Sequence, residues 1–554
     1  MPLAALLPLL LLLLPAAGRA ADVDVEAFGC RAGGPVCTKA FAAAVANVSA
    51  AGGGTLHARG PGAYTVAGIE MKSHVTLVVH AGATINASAV LADWGPRRMV
   101  LPACATTEPA ELEHGVLGGL FYASLASNFT IRGPGAVNGA ARAWNGYGVD
   151  RVDLGSAAAA AAPAPPNPAG LIRSNMFVFA QCTDVVVEDL QIQDSSAWTL
   201  NPQYSQRLSF RRLTITAPAL GSHGHNTDGF DPWACQDVEF IDSYYSGGDD
   251  CVAVKSGKDA NASSPWPCGS EKYPAHNIRI NNITCDGSHG LTIGSEMSGG
   301  VDGVSFTNIN IRNSGPSVRI KSQCGRRAYV RNVLYENITA DNVGNAVWID
   351  MMYFSKVDTC SPEDVSTFEN ITVRNLHVDH ITGNGAAYEI VGLALTGGSD
   401  ELPIRGITLD NVTVAHYGSA GECTHANVST IGISPPLPRG DGCGGVEVAC
   451  AVDTSQPMGC YDDSTTQGLG MQFQAQVHDH TTLERCAAAC FRAKMPLTAI
   501  DAGNHCFCGA KGALAKDSKL VRPLAECETS SCYSNKTQKC GGKGRLLTYS
   551  YKCS

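Results

Sequence analysis

From about residue 120 onward, one arrangement of apolar and polar positions keeps returning. A short run alternates apolar and polar residues, an Asn or Asp follows, then a second β-branched run, then Gly or Ser. Val185–Ile192, Leu208–Ile215, Val238–Ile241, Ile278–Ile283, Val304–Ile311, Val330–Ile338, Phe368–Val373 and Ile407–Val414 are instances. Alternation with period two puts successive side chains on opposite faces of a strand, and no segment here sustains a helical period. The phrases recur roughly every 20 to 40 residues with no helix between them, as expected of stacked repeats carrying two or three short strands each. Hairpin sandwiches would show paired turns such as Asn-Gly between neighbouring strands. The pattern predicts an all-β chain wound as a right-handed parallel β-helix.

Two interruptions punctuate the pattern. Ser156–Gly170 is rich in Ala and Pro, which a sheet ladder does not accept, and is expected to be an exposed loop. A second break runs from Pro435 to Gly442, and beyond it nine of the 22 cysteines fall between Cys460 and Cys553. Such density marks a small domain held by disulfides. The expected organisation is a secretory signal over 1–20, a β-helix over 21–435, a linker over 436–455 and a cysteine-rich module over 456–554.

The signal reading rests on the apolar run Leu6–Leu14 and the small-x-small site Gly18-Arg19-Ala20, although Lys and Arg are missing before the run. Ten Asn-x-Ser/Thr sequons (Asn47, Asn86, Asn128, Asn261, Asn282, Asn337, Asn370, Asn411, Asn427 and Asn535) agree with a secreted, glycosylated and oxidised protein. No later stretch approaches membrane-spanning length, so no membrane partner is expected, and the chain is expected to act as a monomer. The formal net charge of −10 makes nucleic acid an unsuitable partner. An anionic substrate would have to be caught by a local cationic patch.

Four short segments carry such a patch together with acids: Asn226-Thr227-Asp228-Gly229, Gly248-Asp249-Asp250, His289-Gly290 and Arg319-Ile320-Lys321. Hydrolysis of an acetal needs an acid for the leaving oxygen and a base for water, or a nucleophile. Asp228 and Asp249 are twenty-one residues apart, about one coil, and stacked coils lie roughly 4.7–4.9 Å apart. Asp249 and Asp250 would face opposite ways in a regular strand, so both can serve one cleft only if the backbone turns at Gly247-Gly248. Crowded carboxylates should titrate apart, leaving one protonated while others stay ionised. Arg319 and Lys321 alternate in a strand, share a face and can hold a sugar carboxylate. Each segment alone is unremarkable: a turn, a solvated acid pair, a structural histidine, a surface strand. Their joint order and spacing select chemistry.

At these motifs the chain resembles the polygalacturonases, family 28 of the glycoside hydrolases. The resemblance runs from Val23 to Pro435 and includes Asn226–Pro232, Gly247–Gly257, Ser288–Ser295 and Val318–Ser322. It implies an inverting hydrolase without metal or organic cofactor. Asp249 would be the general acid, Asp228 and Asp250 would position and deprotonate water, and His289 would tune the acid. Asn226, Arg319, Lys321 and Tyr353 would bind substrate. The Arg-Ile-Lys set favours galacturonan over rhamnogalacturonan, while Gly294–Gly300 is similar to a branch that contains exo-acting members. Xylogalacturonan or rhamnogalacturonan as substrate, and exo action, stay open.

The C-terminal cysteines resemble a WSC domain, through Gly459-Cys460-Tyr461, Cys486, Cys490, Cys506-Phe507-Cys508-Gly509, Cys527, Cys532 and Cys540-Gly541-Gly542. That resemblance implies binding of cell-wall glycan, with Cys553 left over to pair outside the module. Zinc is the rival for such spacing, and secretion favours disulfides. His223-Gly224-His225 is read as cleft lining rather than a metal site. Two rivals remain: a calcium-dependent polysaccharide lyase of the same architecture, and a non-catalytic wall-glycan-binding protein.

Overall fold

The computed structural model describes residues 21–94, 119–141, 175–218, 226–258, 273–354 and, with interruptions, 357–553. The signal segment, the Ala/Pro-rich stretch and His223-Gly224-His225 lie outside the described residues. The described chain falls into two compact units, one running to Ala253 and the other beginning at Val254.

The first unit opens with a helix, α1 (Thr38–Ala50), which buries Phe41, Ala44, Val45 and Val48. These positions form one apolar stripe at helical spacing. Behind it the chain winds in parallel coils. Strand β1 (Thr183–Glu188) pairs with Ser127–Arg132 on one side and with β2 (Gln206–Arg211) on the other, and β2 pairs with β3 (Gln236–Ser246). The register aligns like positions into columns. Phe129, Val185, Leu208 and Val238 form one buried column, and Ile131, Val187, Phe210 and Phe240 another. The period-two alternation of the sequence is what allows these columns, because every second residue points inward.

The second unit continues the same scheme through β4 (Ala275–Asp286), β5 (Leu291–Gly294), β6 (Val301–Lys321), β7 (Tyr329–Asp350), β8 (Thr367–His380), β9 (Ala386–Val391) and β10 (Ile404–His416). Ile278, Val304, Val333, Ile371 and Ile407 stack in one column, and Ile280, Phe306, Tyr335, Val373 and Leu409 in the next. The Phe306 and Tyr335 rings lie 4.6 Å apart and nearly parallel.

In place of several short strands per repeat, this unit has long bent ones; β6 runs for 21 residues and β7 for 22. The recurring Asn makes the bend. Asn308, Asn313, Asn332, Asn337, Asn342, Asn370, Asn375 and Asn411 all have φ between 50° and 58°, a left-handed conformation that Asn tolerates better than most residues. Their amides also form ladders between coils: Asn375 Nδ2 donates to Asn337 Oδ1 at 3.0 Å, and Asn411 Nδ2 donates to Asn375 Oδ1 at 2.9 Å. Thus the chain turns repeatedly without interrupting the parallel pairing.

The C-terminal region, also in the second unit, is antiparallel. Arg545–Cys553 pairs with Gly459–Asp462 and Leu497–Asp501, and Leu497–Asp501 pairs with His505–Gly509. Helix α2 (Leu483–Arg492) supplies Cys486 and Cys490. Disulfides Cys460–Cys527, Cys486–Cys506 and Cys490–Cys508 cross-link a core that includes Leu483, Ile500 and Leu547. These bonds consume the thiols that a zinc site would need. The backbone of Cys450–Val452 pairs with the C-terminal strand, so part of the span 436–455 adds an edge strand to this sheet. No described helix is long and apolar enough to cross a membrane.

Candidate active site

The three acids come together in the first unit. Thr199 N–H donates to Asp228 O at 2.9 Å, and Gly229 N–H donates to Asp250 O at 2.9 Å. Leu200, Phe230 and Val252 are bridged in parallel, so Asp228 and Asp250 sit on neighbouring coils. After β3 the backbone bends through Gly247, Gly248 and Asp249, which lets both Asp249 and Asp250 leave the regular alternation. Gly247 is required here, since a Cβ would lie 2.2 Å from the Tyr245 hydroxyl. Asp228, Asp249 and Asp250 are 3%, 8% and 1% exposed.

Two backbone donors orient the Asp249 carboxyl: Asn226 N–H reaches Oδ2 at 2.8 Å and Asp250 N–H reaches Oδ1 at 2.9 Å. Asn226 does this from a left-handed conformation, φ 54°. Beneath the acids, the Tyr245 hydroxyl donates to Thr227 O at 2.8 Å. Burial first, and then the Asp228 and Asp249 carboxylates, push this phenol well above its usual range.

The cations come together in the second unit. Register aligns Thr292, Arg319 and Trp348 across β5, β6 and β7, and likewise Gly294, Lys321 and Asp350. Arg319 and Lys321 are each only 7% exposed. The Arg319 guanidinium lies 4.6 Å from the Trp348 ring centre and 5.3 Å from that of Tyr353, and Lys321 Nζ lies 5.1 Å over Tyr353. Tyr353 N–H donates to Ser322 O at 3.0 Å, which holds the ring beside the cations. The Cys324–Cys360 disulfide ties down the chain that leaves Lys321.

His289 lies on the turn before β5, half-buried. Its backbone is held from both sides: Gly290 N–H donates to Ser288 Oγ at 3.0 Å, and Gly315 N–H donates to Ser288 O at 2.7 Å. Gly290 has φ 82°, and a Cβ there would sit 1.8 Å from Pro316 O.

Several residues escaped the motif reading. Trp348 is the platform under Arg319, and its signal was register: it lies opposite Arg319 on the next coil. Lys255 Nζ and Glu296 Oε2 pair at 3.1 Å. Burial opposes ionisation of Glu296, but the Lys255, Lys321 and Arg326 charges overcome it and hold the carboxyl well below the usual range. Glu296 thereby balances the positive charge around Lys321. Asp350 has the opposite balance: burial raises its pKa despite a backbone N–H from Met352 at 2.6 Å and the Arg319 charge.

The first unit thus holds buried carboxylates on consecutive coils, and the second holds a cationic, aromatic-lined set in register. The profile of glycosyl hydrolases family 28 matches residues 120–432, and that of the WSC domain matches 457–542. The chain belongs to glycosyl hydrolases family 28. A probable polygalacturonase of Vitis vinifera is 27% identical over 409 residues, covering 72% of this chain and 76% of that protein. A Persea americana polygalacturonase is 28% identical over 309 residues, covering 55% of this chain and 58% of its own length. Among solved structures, an exopolygalacturonase from Thermotoga maritima superposes with a TM-score of 0.59 at 23% identity, covering 74% of this chain and 91% of that one. The last likeness concerns the fold, a pectin-lyase-like parallel β-helix. As a family 28 member the chain is a glycoside hydrolase carrying a WSC domain.

Proposed function

We propose that this glycoside hydrolase is a secreted polygalacturonase that cleaves α-1,4-galacturonosyl linkages of pectin with inversion. Asp249 protonates the leaving oxygen, Asp228 and Asp250 hold and deprotonate the attacking water, and His289 tunes the acid. Asn226, Arg319, Lys321 and Tyr353 bind the galacturonate chain. The observation that carries the reading is the trio of nearly buried acids around an Asp249 carboxyl gripped by two backbone N–H groups. Burying acids is costly unless they are paired and hydrogen-bonded, and proteins concentrate such acids at functional sites. Arg319 offers a planar fork that matches a sugar carboxylate. Inversion calls for acid and base carboxyl groups ~6.5–9.5 Å apart, with room for water between them. The WSC domain retains the enzyme on wall glycan, and the protein works outside the cell, where its disulfides persist.

The test is turnover of polygalacturonate followed by proton NMR and by absorbance of unsaturated products. The reading requires early products of inverted anomeric configuration, no unsaturated product, and activity that survives chelation. Asp249→Asn should lower kcat by roughly 10²–10⁴-fold, the usual worth of general acid catalysis. Retained configuration, or undiminished turnover in Asp249→Asn, overturns it. Product sizing on the same substrate distinguishes monomer release from a ladder of oligomers.

A further inference from the structure

Beside the cations of the second unit, a turn combines two unfavourable features at one residue. Phe354 is 80% exposed, more than any other large hydrophobic side chain among the described residues, and its φ is 55°. A bulky residue rarely takes this left-handed conformation, which glycine or asparagine reaches with less strain. The turn is held independently of the Phe354 side chain. Met352 N–H donates to Asp350 Oδ1 at 2.6 Å, Tyr353 N–H donates to Ser322 O at 3.0 Å, and the Cys324–Cys360 disulfide closes the segment. Folding gains little from an exposed ring at this place. Single exposed hydrophobics are common, but strain imposed by a well-determined backbone clusters where ligands are held.

The surroundings say which ligand. The Phe354 ring centre lies 4.2 Å from that of Tyr353, with the planes 46° apart. The Tyr353 ring centre lies 5.1 Å from Lys321 Nζ and 5.3 Å from the Arg319 guanidinium. Tyr353 is half-buried and Phe354 exposed, so the two rings lead from the cations out to solvent.

Resting on the polygalacturonase reading, we propose that Phe354 is a stacking platform for one further sugar of the bound chain, next to the galacturonate that Arg319 and Lys321 grip. A pyranose of galacto configuration presents C3–H, C4–H and C5–H on one face, an apolar patch whose hydrogens carry partial positive charge. The negative face of an aromatic ring attracts such a patch through the quadrupole that also attracts cations. Stacking of this kind does not read the carboxyl group. Phe354 therefore lengthens the grip on the chain by a sugar whose carboxyl is free or methyl-esterified, without demanding a charge there.

Leu125 supplies the control. It is 67% exposed at φ 56°, so it shares the strain and the exposure. It has no ring, and its sequence neighbours Ser124 and Ala126 have no part in substrate binding.

Steady-state kinetics on long oligogalacturonates, with thermal melts in parallel, tests the proposal. Phe354→Gly should melt close to the wild type, because glycine relieves the strain while adding freedom to the unfolded chain. Its KM should rise roughly 2- to 12-fold, the worth of an aromatic contact, with kcat changed less than about twofold. Phe354→Tyr keeps the ring and should hold KM near the wild-type value. Leu125→Gly should leave KM unchanged. Normal wild-type turnover with an unchanged KM in Phe354→Gly overturns this proposal and leaves the polygalacturonase reading standing. So does a rise in KM that Phe354→Tyr shows equally or that Leu125→Gly reproduces. Absence of turnover by the wild type defeats both.

Discussion

Asn226 and Asp249 are joined by a backbone N–H donating 2.8 Å to a carboxylate oxygen, and the donor residue has φ 54°. The orientation of the acid therefore depends on the conformation of Asn226 and not only on its side chain. Glycine reaches this conformation without strain, whereas a β-branched residue pays ~1–2 kcal/mol for it.

Asn226→Gly should melt within about 1 kcal/mol of the wild type, keep Asp249 oriented, and lose only what the amide side chain gives to substrate, seen as a rise in KM. Asn226→Val should lower both the melting temperature and kcat. Equal kcat in the two variants would separate the turn from the acid and refute the backbone role.

Arg319 lies over two rings, Trp348 at 4.6 Å and Tyr353 at 5.3 Å. Lysine keeps the charge but lacks the planar fork that stacks and grips a carboxylate bidentately. Cation–π contacts contribute ~0.5–2 kcal/mol depending on desolvation. Arg319→Lys should then raise KM for oligogalacturonate by roughly 2- to 30-fold with a smaller change in kcat, and Trp348→Ala should move KM in the same direction. Steady-state kinetics on a defined oligomer reads both. An unchanged KM in Arg319→Lys would mean that charge alone is used.

Gly290 neighbours His289, and a Cβ on it would lie 1.8 Å from Pro316 O at φ 82°. Gly303 offers a comparison: its φ is 71°, but a Cβ there meets nothing nearer than 3.7 Å. Gly303→Ala should show the left-handed strain alone, ~1–2 kcal/mol. Gly290→Ala should be destabilised further, with a larger loss in kcat than in KM as His289 is displaced. Thermal melts with parallel kinetics decide it; equal losses in the two variants would rule out the close approach.

Much of this was legible in the chain because a parallel solenoid turns sequence into geometry in a simple way. Val185, Leu208 and Val238 occupy the same place in three successive phrases and so share a column. Residue type and spacing single out the acids of the first unit and the cations of the second, and the family resemblance supplies the roles expected of them. Four things stayed hidden for separate reasons. The recurring Asn falls between two short apolar runs in the sequence pattern, which implies short strands, but left-handed backbone lets it bend a strand that remains paired, as in β6 and β7. Trp348 belongs to no motif, and its relation to Arg319 exists only through register. Helix α1 has a plain stripe at Phe41, Ala44, Val45 and Val48, but it precedes the repeats that drew the fold assignment. Pairings such as Cys324–Cys360 were beyond sequence, because cysteine spacing does not fix connectivity.

Beyond Lys321 the same sheet face turns acidic. Trp348 is in register with Glu389, and Glu389 with Glu422. Burial first, then the Asp350 and Glu422 charges, raise the pKa of Glu389, although Asn345 Nδ2 donates to its Oε2 at 3.1 Å. A carboxyl raised above its unfolded value near ~4.3 binds protons more tightly in the folded state. Its ionisation therefore weakens the fold at neutral pH, and that cost disappears as pH falls through the raised folded value. Glu389→Gln keeps the acceptor for Asn345 and removes the charge. It should raise the melting temperature at pH 7, with the advantage shrinking on acidification and vanishing below the ordinary glutamate range. Melts of wild type and variant from pH 3 to pH 8 would show two curves converging at the acid end. Parallel curves, or a variant less stable at pH 7, would mean that repulsion among Asp350, Glu389 and Glu422 is not felt by the folded protein.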